Sequence, residues 1–292
     1  MAGQFTSVAD ATVRLEAAGY LTEPSIATVV FLADRLGKPV LVEGPAGVGK
    51  TELAKAVAAA KAAQLIRLQC YEGLDEAKAL YEWNYKKQLL RIQADAAEER
   101  HRAWDDVRDD IFSHDYLLAR PLLQAITGDG PAVLLVDEVD KVDFEFEALL
   151  LELLSDFQVS VPELGTVVAT RRPTVVLTSN STRELSEALK RRCLYLHLDY
   201  PSAEREADIV RARAPGVSAA LAQQVVRAVR TLRELDLRKP PAVSETLDWA
   251  QTLVALGRED LDDEVIAATI GVLCKQSTDI DKGLSALAGH AS

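Results

Sequence analysis

An eight-residue glycine-rich motif near the amino end constrains the fold of this chain more than any other feature. Residues 44–51 read GPAGVGKT, which matches the pattern G-x-x-x-x-G-K-[ST] at each fixed position. A short apolar run at 39–43 precedes the motif, and an alanine-rich helical segment at 50–63 follows it. The order of strand, glycine-rich turn and helix is typical of a parallel α/β sheet that binds phosphate groups at the turn.

Each fixed position of this motif has a chemical purpose. Glycines allow backbone N–H groups to converge on the phosphates, and the following helix directs its positive end at them. Lys50 would place its charge on the β- and γ-phosphates, and the Thr51 hydroxyl would reach Mg²⁺. The structural alternative is a glycine-rich turn with a surface lysine, which fits less well with the flanking strand and helix. We therefore expect a nucleotide to contact Gly44, Pro45, Ala46, Gly47, Val48, Gly49, Lys50 and Thr51.

Two consecutive carboxylates end a second apolar run. Residues 133–136 read VLLV, and Asp137 and Glu138 follow. Ligands of open α/β sheets bind at the carboxyl ends of strands, so this pair is expected beside the nucleotide. Asp137 would hold Mg²⁺ together with Thr51, and Glu138 would orient and deprotonate a water that attacks the γ-phosphate. Alone, the pair is equally typical of a polar strand end, but with the phosphate-binding motif it favours hydrolysis over phosphoryl transfer to a small substrate.

Composition and charge exclude several classes of protein. The chain has 292 residues, 48% of them apolar, and a formal net charge of −12. The acidic balance argues against general nucleic-acid binding. The three cysteines are far apart and odd in number, as expected of reduced thiols, and the four histidines have no zinc-ligand spacing. Because there is no export signal and no apolar stretch of about 18 residues, we expect a cytoplasmic protein without a membrane span.

Strand signals recur up to about residue 200 and then stop. Further strands are expected at 65–70, 132–137, 174–179 and 194–198, with helices at 25–36 and 144–157 and a hairpin at 158–169. Beyond residue 200, helices are expected at 203–212, 219–235, 244–256 and 262–275. We predict an α/β domain over 1–200 and an all-helical domain over 201–292. The first contains an insertion at about 71–128 with a long charged helix at 86–110.

The order of these motifs resembles that of the AAA+ ATPases. The segment EVDK follows Asp137, a strand ends at Asn180, and Arg191-Arg192 precedes the last strand. More narrowly, the hairpin and the insertion are similar to those of the MoxR family, and the runs LYEWNYKKQL at 80–89 and RCLYL at 192–196 look like its CoxD-type branch. The resemblance spans residues 22–275. It implies a P-loop parallel five-stranded sheet with helices on both faces, followed by a small all-α lid, with ATP and Mg²⁺ as cofactors.

The resemblance also implies roles for polar residues outside the two motifs. Asn180 matches the sensor that hydrogen-bonds the attacking water or the γ-phosphate, whereas an ordinary turn residue is the alternative. Arg191 or Arg192 matches the arginine finger that reaches the nucleotide of a neighbouring subunit, whereas a solvated surface pair is the alternative. Such a finger implies a homo-oligomeric ring, usually a hexamer.

The lid departs from the superfamily pattern at one position. An arginine early in the third lid helix usually senses the γ-phosphate, but the helix start near Ser244 contains none. Arg238 or Lys239 would then reach the phosphate from the preceding loop. Ser244 itself is expected to cap the helix.

The function that the resemblance implies is ATP hydrolysis coupled to remodelling or maturation of another protein. The CoxD-type branch is linked to molybdenum-containing carbon monoxide dehydrogenase, and MoxR-type ATPases typically work with a protein that bears a von Willebrand factor A domain. The expected docking surface is the insertion, with Trp83, Tyr85 and Trp104 as anchors. Alternatively, the insertion packs on its own sheet or on the next subunit. The competing functions are a nucleic-acid-stimulated AAA+ motor, disfavoured by the acidic charge, and a small-molecule P-loop kinase, disfavoured by residues 201–292.

Overall fold

A computed structural model describes residues 4–97 and 104–288, which fold into two compact units. The first unit holds the chain up to Glu43 together with Thr51–Leu196. The second holds Gly44–Lys50 and the chain from His197 onward. Within the described ranges, no helix combines the length and the apolar character that crossing a bilayer requires.

The described part of the chain forms nine strands and fourteen α-helices. The strands are β1 (Val40–Glu43), β2 (Gln64–Gln69), β3 (Tyr81–Trp83), β4 (Leu117–Ala119), β5 (Ala132–Asp137), β6 (Gln158–Val161), β7 (Gly165–Val168), β8 (Thr174–Ser179) and β9 (Leu194–His197). The helices are α1 (Val8–Ala17), α2 (Pro24–Leu36), α3 (Lys50–Ala60), α4 (Glu76–Ala79), α5 (Tyr85–Ala97), α6 (Trp104–Ile111), α7 (Pro121–Thr127), α8 (Phe144–Asp156), α9 (Glu187–Arg192), α10 (Ala203–Arg213), α11 (Ala219–Arg233), α12 (Val243–Ala255), α13 (Asp263–Thr269) and α14 (Ser277–Leu287).

Five strands form the central sheet of the first unit, in the order β2-β5-β8-β1-β9. The pairs β2–β5, β5–β8 and β8–β1 are parallel, with Leu65 opposite Val133 and Leu135 opposite Val176. After their first residue, β5 and β8 are buried throughout, which is the pattern of strands covered on both faces. The predicted parallel five-stranded α/β fold is therefore confirmed.

Leucines from the sheet and from α7 and α8 make up much of the core of this unit. Leu134, Leu150 and Leu177 have no exposed surface, and each contributes roughly 1.5–3 kcal/mol by burial. Helix α8 begins at Asp143, whose carboxylate accepts a hydrogen bond from the Phe146 amide over 2.9 Å. The hairpin predicted at 158–169 forms as β6 and β7, which pair antiparallel.

The predicted insertion has a small core of its own. Strands β3 and β4 pair antiparallel, and Trp83 is 6% exposed, with its ring edge-on to Phe112 at 5.2 Å. The prediction of Trp83 as a docking anchor is therefore wrong, and the alternative of packing within the chain holds for this residue: its indole fills the core of this subregion. The side chain of Trp104 lies outside the described part. The predicted helix at 86–110 corresponds to α5 and α6, and residues 98–103 between them lie outside the described ranges.

Helix α5 has an unusual distribution of polar and apolar residues. Its inner face carries Gln88 and Asp95, both buried, and the Gln88 amide donates to the carbonyl of Ile111 over 2.7 Å. Its outer face carries Tyr85 and Leu90, each 66% exposed, and Leu89 is also exposed. An exposed group of large apolar side chains on one helix face is typical of a contact surface.

The second unit is all-helical from α10 onward, around a buried Trp249 whose Nε1 donates to Thr269 Oγ1 over 2.8 Å. The predicted cap at Ser244 is wrong, because α12 begins one residue earlier and its N-cap is Ala242. The backbone N–H of Ala242 donates to the Glu245 carboxylate over 3.2 Å. The predicted helix at 262–275 is shorter, because α13 ends at Thr269, and α14 was not predicted.

Candidate active site

The phosphate-binding motif forms the turn that joins β1 to α3. Glycines 44, 47 and 49 have φ angles of 154°, 73° and 100°, which residues with side chains rarely adopt. A Cβ atom on Gly44 would lie 1.9 Å from the carbonyl oxygen of Leu198, and one on Gly47 would lie 2.4 Å from the Cβ of Ala242. Both positions therefore require glycine, and the loop keeps the bare backbone with which such turns bind phosphates.

Lys50 is the first residue of α3, and its ammonium group turns back over the loop. The residue is 6% exposed, and its Nζ donates to the carbonyl oxygens of Gly44 over 2.7 Å and of Pro45 over 2.6 Å. A buried ammonium needs such acceptors because the loss of water is costly. Phosphate oxygens are stronger acceptors than these carbonyls, so a bound phosphate would attract the same group.

Thr51 and Asp137 lie in contact at the carboxyl end of β5. Asp137 is 2% exposed, and its Oδ1 accepts hydrogen bonds from the hydroxyls of Thr51, over 3.0 Å, and Thr178, over 2.6 Å. A carboxylate beside a hydroxyl is a set of hard oxygen donors, which fits Mg²⁺. The two predicted metal ligands are therefore neighbours, and Thr178 orients the carboxylate between them.

Arg67 was not predicted as part of this site. Its Nε donates to Asp137 Oδ2 over 3.0 Å, and its terminal nitrogen donates to the same oxygen over 2.5 Å. The pairing of β2 with β5 brings Arg67 here, because Gln69 lies directly opposite Asp137. The available sequence signal was that Arg67 and Gln69 are polar and lie near the end of an expected strand. The buried charge of Asp137 is thus compensated within the first unit.

Three donors surround the carboxylate of Glu138. Gln69 Nε2 donates to Oε2 over 3.1 Å, Asn180 Nδ2 donates to Oε1 over 3.4 Å, and the Lys141 ammonium pairs with Oε2. The hydrogen bond to Glu138 raises the pKa of Lys141. The structure thus brings the predicted Asn180 to Glu138 and adds Gln69 and Lys141, neither of which was predicted.

The backbone of Glu138 lies in the left-handed region, at φ 58° and ψ 49°. Its N–H donates to the Thr178 hydroxyl over 2.9 Å, and the same hydroxyl donates to Asp137. Thr178 therefore bridges the two acidic residues. This conformation turns the chain sharply after β5, and it is uncommon for a residue with a side chain.

Asp140 anchors the strand end that carries Asn180. Its Oδ2 accepts from the amide of Thr182 over 2.9 Å and from the hydroxyl of Thr182 over 2.6 Å. Burial raises the pKa of Asp140, but the hydrogen bonds from Thr182 and from the backbone of Asn180 outweigh it, so that the net pKa is lowered. Burial, together with the charges of Asp137, Asp140 and Glu138, raises the pKa of the Cys70 thiol to about 12, which keeps it protonated at neutral pH.

The predicted finger residues lie at the end of α9 in different environments. The side chain of Arg191 is 82% exposed and 3.9 Å from Glu187. Arg192 is held by the chain itself, because it donates to Ser155 Oγ over 2.8 Å and to the carbonyl of Ala188 over 3.2 Å. Neither residue contacts Asp137 or Glu138 within the described part of the chain.

The predicted lid residues Arg238 and Lys239 lie on an exposed loop of the second unit. Their backbone amides both donate to the buried carboxylate of Asp279 over 3.2 Å. The ammonium of Lys239 lies 3.6 Å from Glu245, and Arg238 has an exposed side chain. The Asp279 carboxylate therefore fixes the loop by binding its backbone amides, and the side chain of Arg238 stays exposed.

Among residues 4–97 and 104–288, no three histidine, cysteine or acidic side chains are arranged so that they could hold a metal ion together. The expectation of no zinc site rests on spacing, and two of the histidines it covers, His101 and His290, lie outside the described ranges.

One curated protein is similar to this chain in sequence. The gas vesicle ATPase GvpN of Haloferax mediterranei is 27% identical over 210 residues, which cover 68% of this chain and 57% of that protein. The chain thus spans just over half the length of this curated relative.

Two solved structures of Thermotoga maritima RuvB show the same fold. The P216G mutant has a TM-score of 0.51 and 17% identity, over 85% of this chain and 68% of that one. The structure described as the Holliday junction branch migration motor has a TM-score of 0.51 and 16% identity, over 88% and 69%.

One family model covers the site. The model of the AAA domain (dynein-related subfamily) matches residues 39–193, more than half of the chain. That span contains Lys50, Thr51, Asp137, Glu138 and Asn180. The chain therefore belongs to the AAA+ ATPases, through the AAA domain of the dynein-related subfamily.

Proposed function

We propose that this protein binds ATP with Mg²⁺ and hydrolyses it to ADP and phosphate. The observation that carries the proposal is the contact of Thr51 with Asp137 at the end of β5, followed directly by Glu138 with its ring of donors. Family membership and the relative described as a gas vesicle ATPase support it. A bound Mg²⁺ would supply positive charge to the phosphates, held by Thr51 and the Oδ1 side of Asp137.

The remaining residues have separable roles in this reaction. In the ATP complex, the Lys50 ammonium would donate to phosphate oxygens instead of to the carbonyl oxygens of the loop. Glu138 would take the proton of the attacking water, and Asn180, already bonded to that carboxylate, would orient the water. Gln69 and Lys141 hold the Glu138 carboxylate from its other side, so they fix the direction in which it accepts the proton.

A ring of identical subunits, as the family resemblance implies, would complete the site through the pair Arg191 and Arg192. We favour Arg191 as the finger because its side chain is 82% exposed and its ion pair with the exposed Glu187 is long at 3.9 Å. Arg192 would first have to release Ser155 and Ala188. An arginine finger contributes roughly 10³–10⁵ to the hydrolysis rate.

We further propose a role of the MoxR type, in which ATP hydrolysis remodels or matures a metalloenzyme. The CoxD-like runs at 80–89 and 192–196 support this, with molybdenum-containing carbon monoxide dehydrogenase as the implied client and a von Willebrand factor A domain protein as the implied partner. The surface for that partner is the outer face of α5, where Tyr85, Leu89 and Leu90 are exposed. The alternative of a nucleic-acid-stimulated motor rests on the RuvB fold alone, and the net charge of −12 disfavours it.

The decisive experiment compares ATP binding with turnover in matched variants. Lys50→Ala should abolish binding, and Lys55→Ala, an exposed lysine on the same helix, should leave binding and turnover unchanged. The turnover of Arg191→Ala should fall by at least 10³-fold with binding intact, and wild-type activity per subunit should rise with protein concentration. Tight binding by Lys50→Ala, or activity that stays flat on dilution to monomers, would contradict the proposal.

The partner and the alternative function need separate measurements. Tyr85→Ala/Leu89→Ala should weaken capture of the partner with a slowly hydrolysed ATP analogue and preserve basal hydrolysis, whereas Leu256→Ala, an exposed apolar residue elsewhere, should change neither. Stimulation of hydrolysis by DNA would instead favour the motor.

A further inference from the structure

A cavity of about 450 Å³ lies at the amino-terminal edge of the central sheet, where β1, β5 and β8 begin. All of its lining residues belong to the first unit. Leu36, Pro39 and Phe157 give it an apolar wall. The volume lies within the range of roughly 300–1,000 Å³ that is usual for small-molecule sites.

The charges in this cavity have the opposite sign to the chain as a whole. One carboxylate, Asp34, faces five basic side chains: Arg35, Lys38, Lys61, Arg171 and Arg172. Lys61 pairs with Asp34 and also donates to the Thr174 hydroxyl, which makes a fixed polar floor. In the described ranges, no carboxylate pairs with any of the other four basic residues.

The negative ends of the neighbouring helices do not neutralise this excess of positive charge. Three helices, α2, α3 and α8, end beside the cavity, and a helix carboxyl end carries about half a negative charge. Together with Asp34, these ends offset about half of the five positive charges, and an excess of about 2.5 remains. Four unpaired cations at one opening repel each other, so a bound anion would stabilise the arrangement.

We propose that this cavity binds a phosphate monoester that carries an apolar group. A phosphate monoester has a charge of about −1.5 to −2, which would offset most of this excess. Guanidinium groups bind phosphate through paired hydrogen bonds, and Arg172 is already oriented by its position over the Phe157 ring, 5.3 Å from the centroid. The apolar wall would receive the organic substituent.

Calorimetric titration with phenyl phosphate, in the full chain, tests this proposal. Binding should be unchanged in Lys50→Ala, which removes the phosphate contact of the ATP loop, and at least tenfold weaker in Arg171→Gln/Arg172→Gln. Arg227→Gln/Arg230→Gln removes the same charge from an exposed face of the second unit and should bind as the wild type does. Inorganic phosphate should bind more weakly than phenyl phosphate, and phenol should not bind.

Arg171 and Arg172 are exposed loop residues, so the double variant should fold. Arg35→Gln is a second variant that should also weaken the binding of phenyl phosphate. Undiminished binding by both variants would overturn the proposal, as would binding that disappears in Lys50→Ala. A peptide that contains phosphotyrosine distinguishes the sources: affinity equal to that of phenyl phosphate would indicate a phosphorylated polypeptide, and at least tenfold weaker binding would indicate a free small molecule.

Discussion

The two edges of the central sheet hold charge in opposite ways. At the carboxyl edge, Asp137 and Glu138 are surrounded by donors from the same unit, and each carboxylate has at least two partners. At the amino edge, Arg171 and Arg172 line a cavity whose carboxylate, Asp34, pairs with Lys61, and neither arginine pairs with a carboxylate in the described part of the chain. The first arrangement fixes side chains in advance of a reaction, whereas the second leaves charge available for a ligand.

The two edges also contribute differently to the free energy of unfolding. Compensated buried charges are costly to break, because removing one partner strands the other. Exposed charges on a loop contribute little, and their removal changes the free energy of unfolding by about 0.5 kcal/mol or less. Substitutions at the carboxyl edge should therefore affect both catalysis and folding, and substitutions of the exposed Arg171 and Arg172 at the amino edge should affect neither.

The largest expected effect is that of Glu138→Gln. Because the amide cannot accept the proton of the attacking water, turnover should fall by about 10²–10⁴-fold while ATP still binds. Single-turnover hydrolysis and equilibrium nucleotide binding measure the two quantities separately. Full turnover by this variant would show that another group is the base.

An intermediate effect is expected for Asp140→Asn. Its carboxylate accepts two hydrogen bonds from Thr182, so the variant should lose about 1–3 kcal/mol of unfolding free energy. The pKa of Asp140 is lowered in the folded protein. Its contribution is therefore complete above the unfolded value of about 3.9 and is lost as the pH falls through the folded pKa.

Denaturant titrations at pH 7 and below pH 4 test this difference, which should shrink at the lower pH. Asp156→Asn, an exposed aspartate at the end of α8, is the matched control and should cost almost nothing at either pH. An equal loss in both variants would mean that Asp140 does not hold the strand end.

The smallest effect is expected for Arg171→Gln/Arg172→Gln in the absence of any ligand. Since the cavity lies at the opposite edge of the sheet from Asp137, kcat for ATP should stay within about twofold of the wild type, and the free energy of unfolding should change by about 0.5 kcal/mol or less. Steady-state kinetics and a denaturant titration measure these values. A large loss of kcat would mean that the two edges are coupled.

Motif chemistry and apolar periodicity were enough to predict the sheet and the acidic pair. The runs at 132–137 and 174–179 match β5 and β8 residue for residue, because the polar residues that follow each apolar run mark where the strand ends. Thr51 and Asp137 meet because the first turn of α3 and the end of β5 lie at the same edge of the sheet.

Arg67, Gln69 and Thr178 escaped prediction because their roles depend on which strands are neighbours. Each lies near the end of a strand that pairs with β5, and no local sequence pattern predicts the order of strands in the sheet. The burial of Trp83 was missed for a related reason: Tyr81 and Tyr85 flank it in the sequence, and only the pairing of β3 with β4 shows which of the three aromatics is buried. The basic cavity is assembled from segments around residues 35, 61 and 171, and no single stretch of sequence displays it.

The left-handed backbone at Glu138 implies a conflict between chemistry and conformation at that position. A residue with a side chain pays on the order of 1–3 kcal/mol to stay in such a region, and glycine avoids the cost. Glu138→Gly removes this strain together with the carboxylate, so we expect hydrolysis to be lost while the turn after β5 is kept. Hydrolysis therefore requires, at this position, a side chain that the backbone conformation alone would not favour.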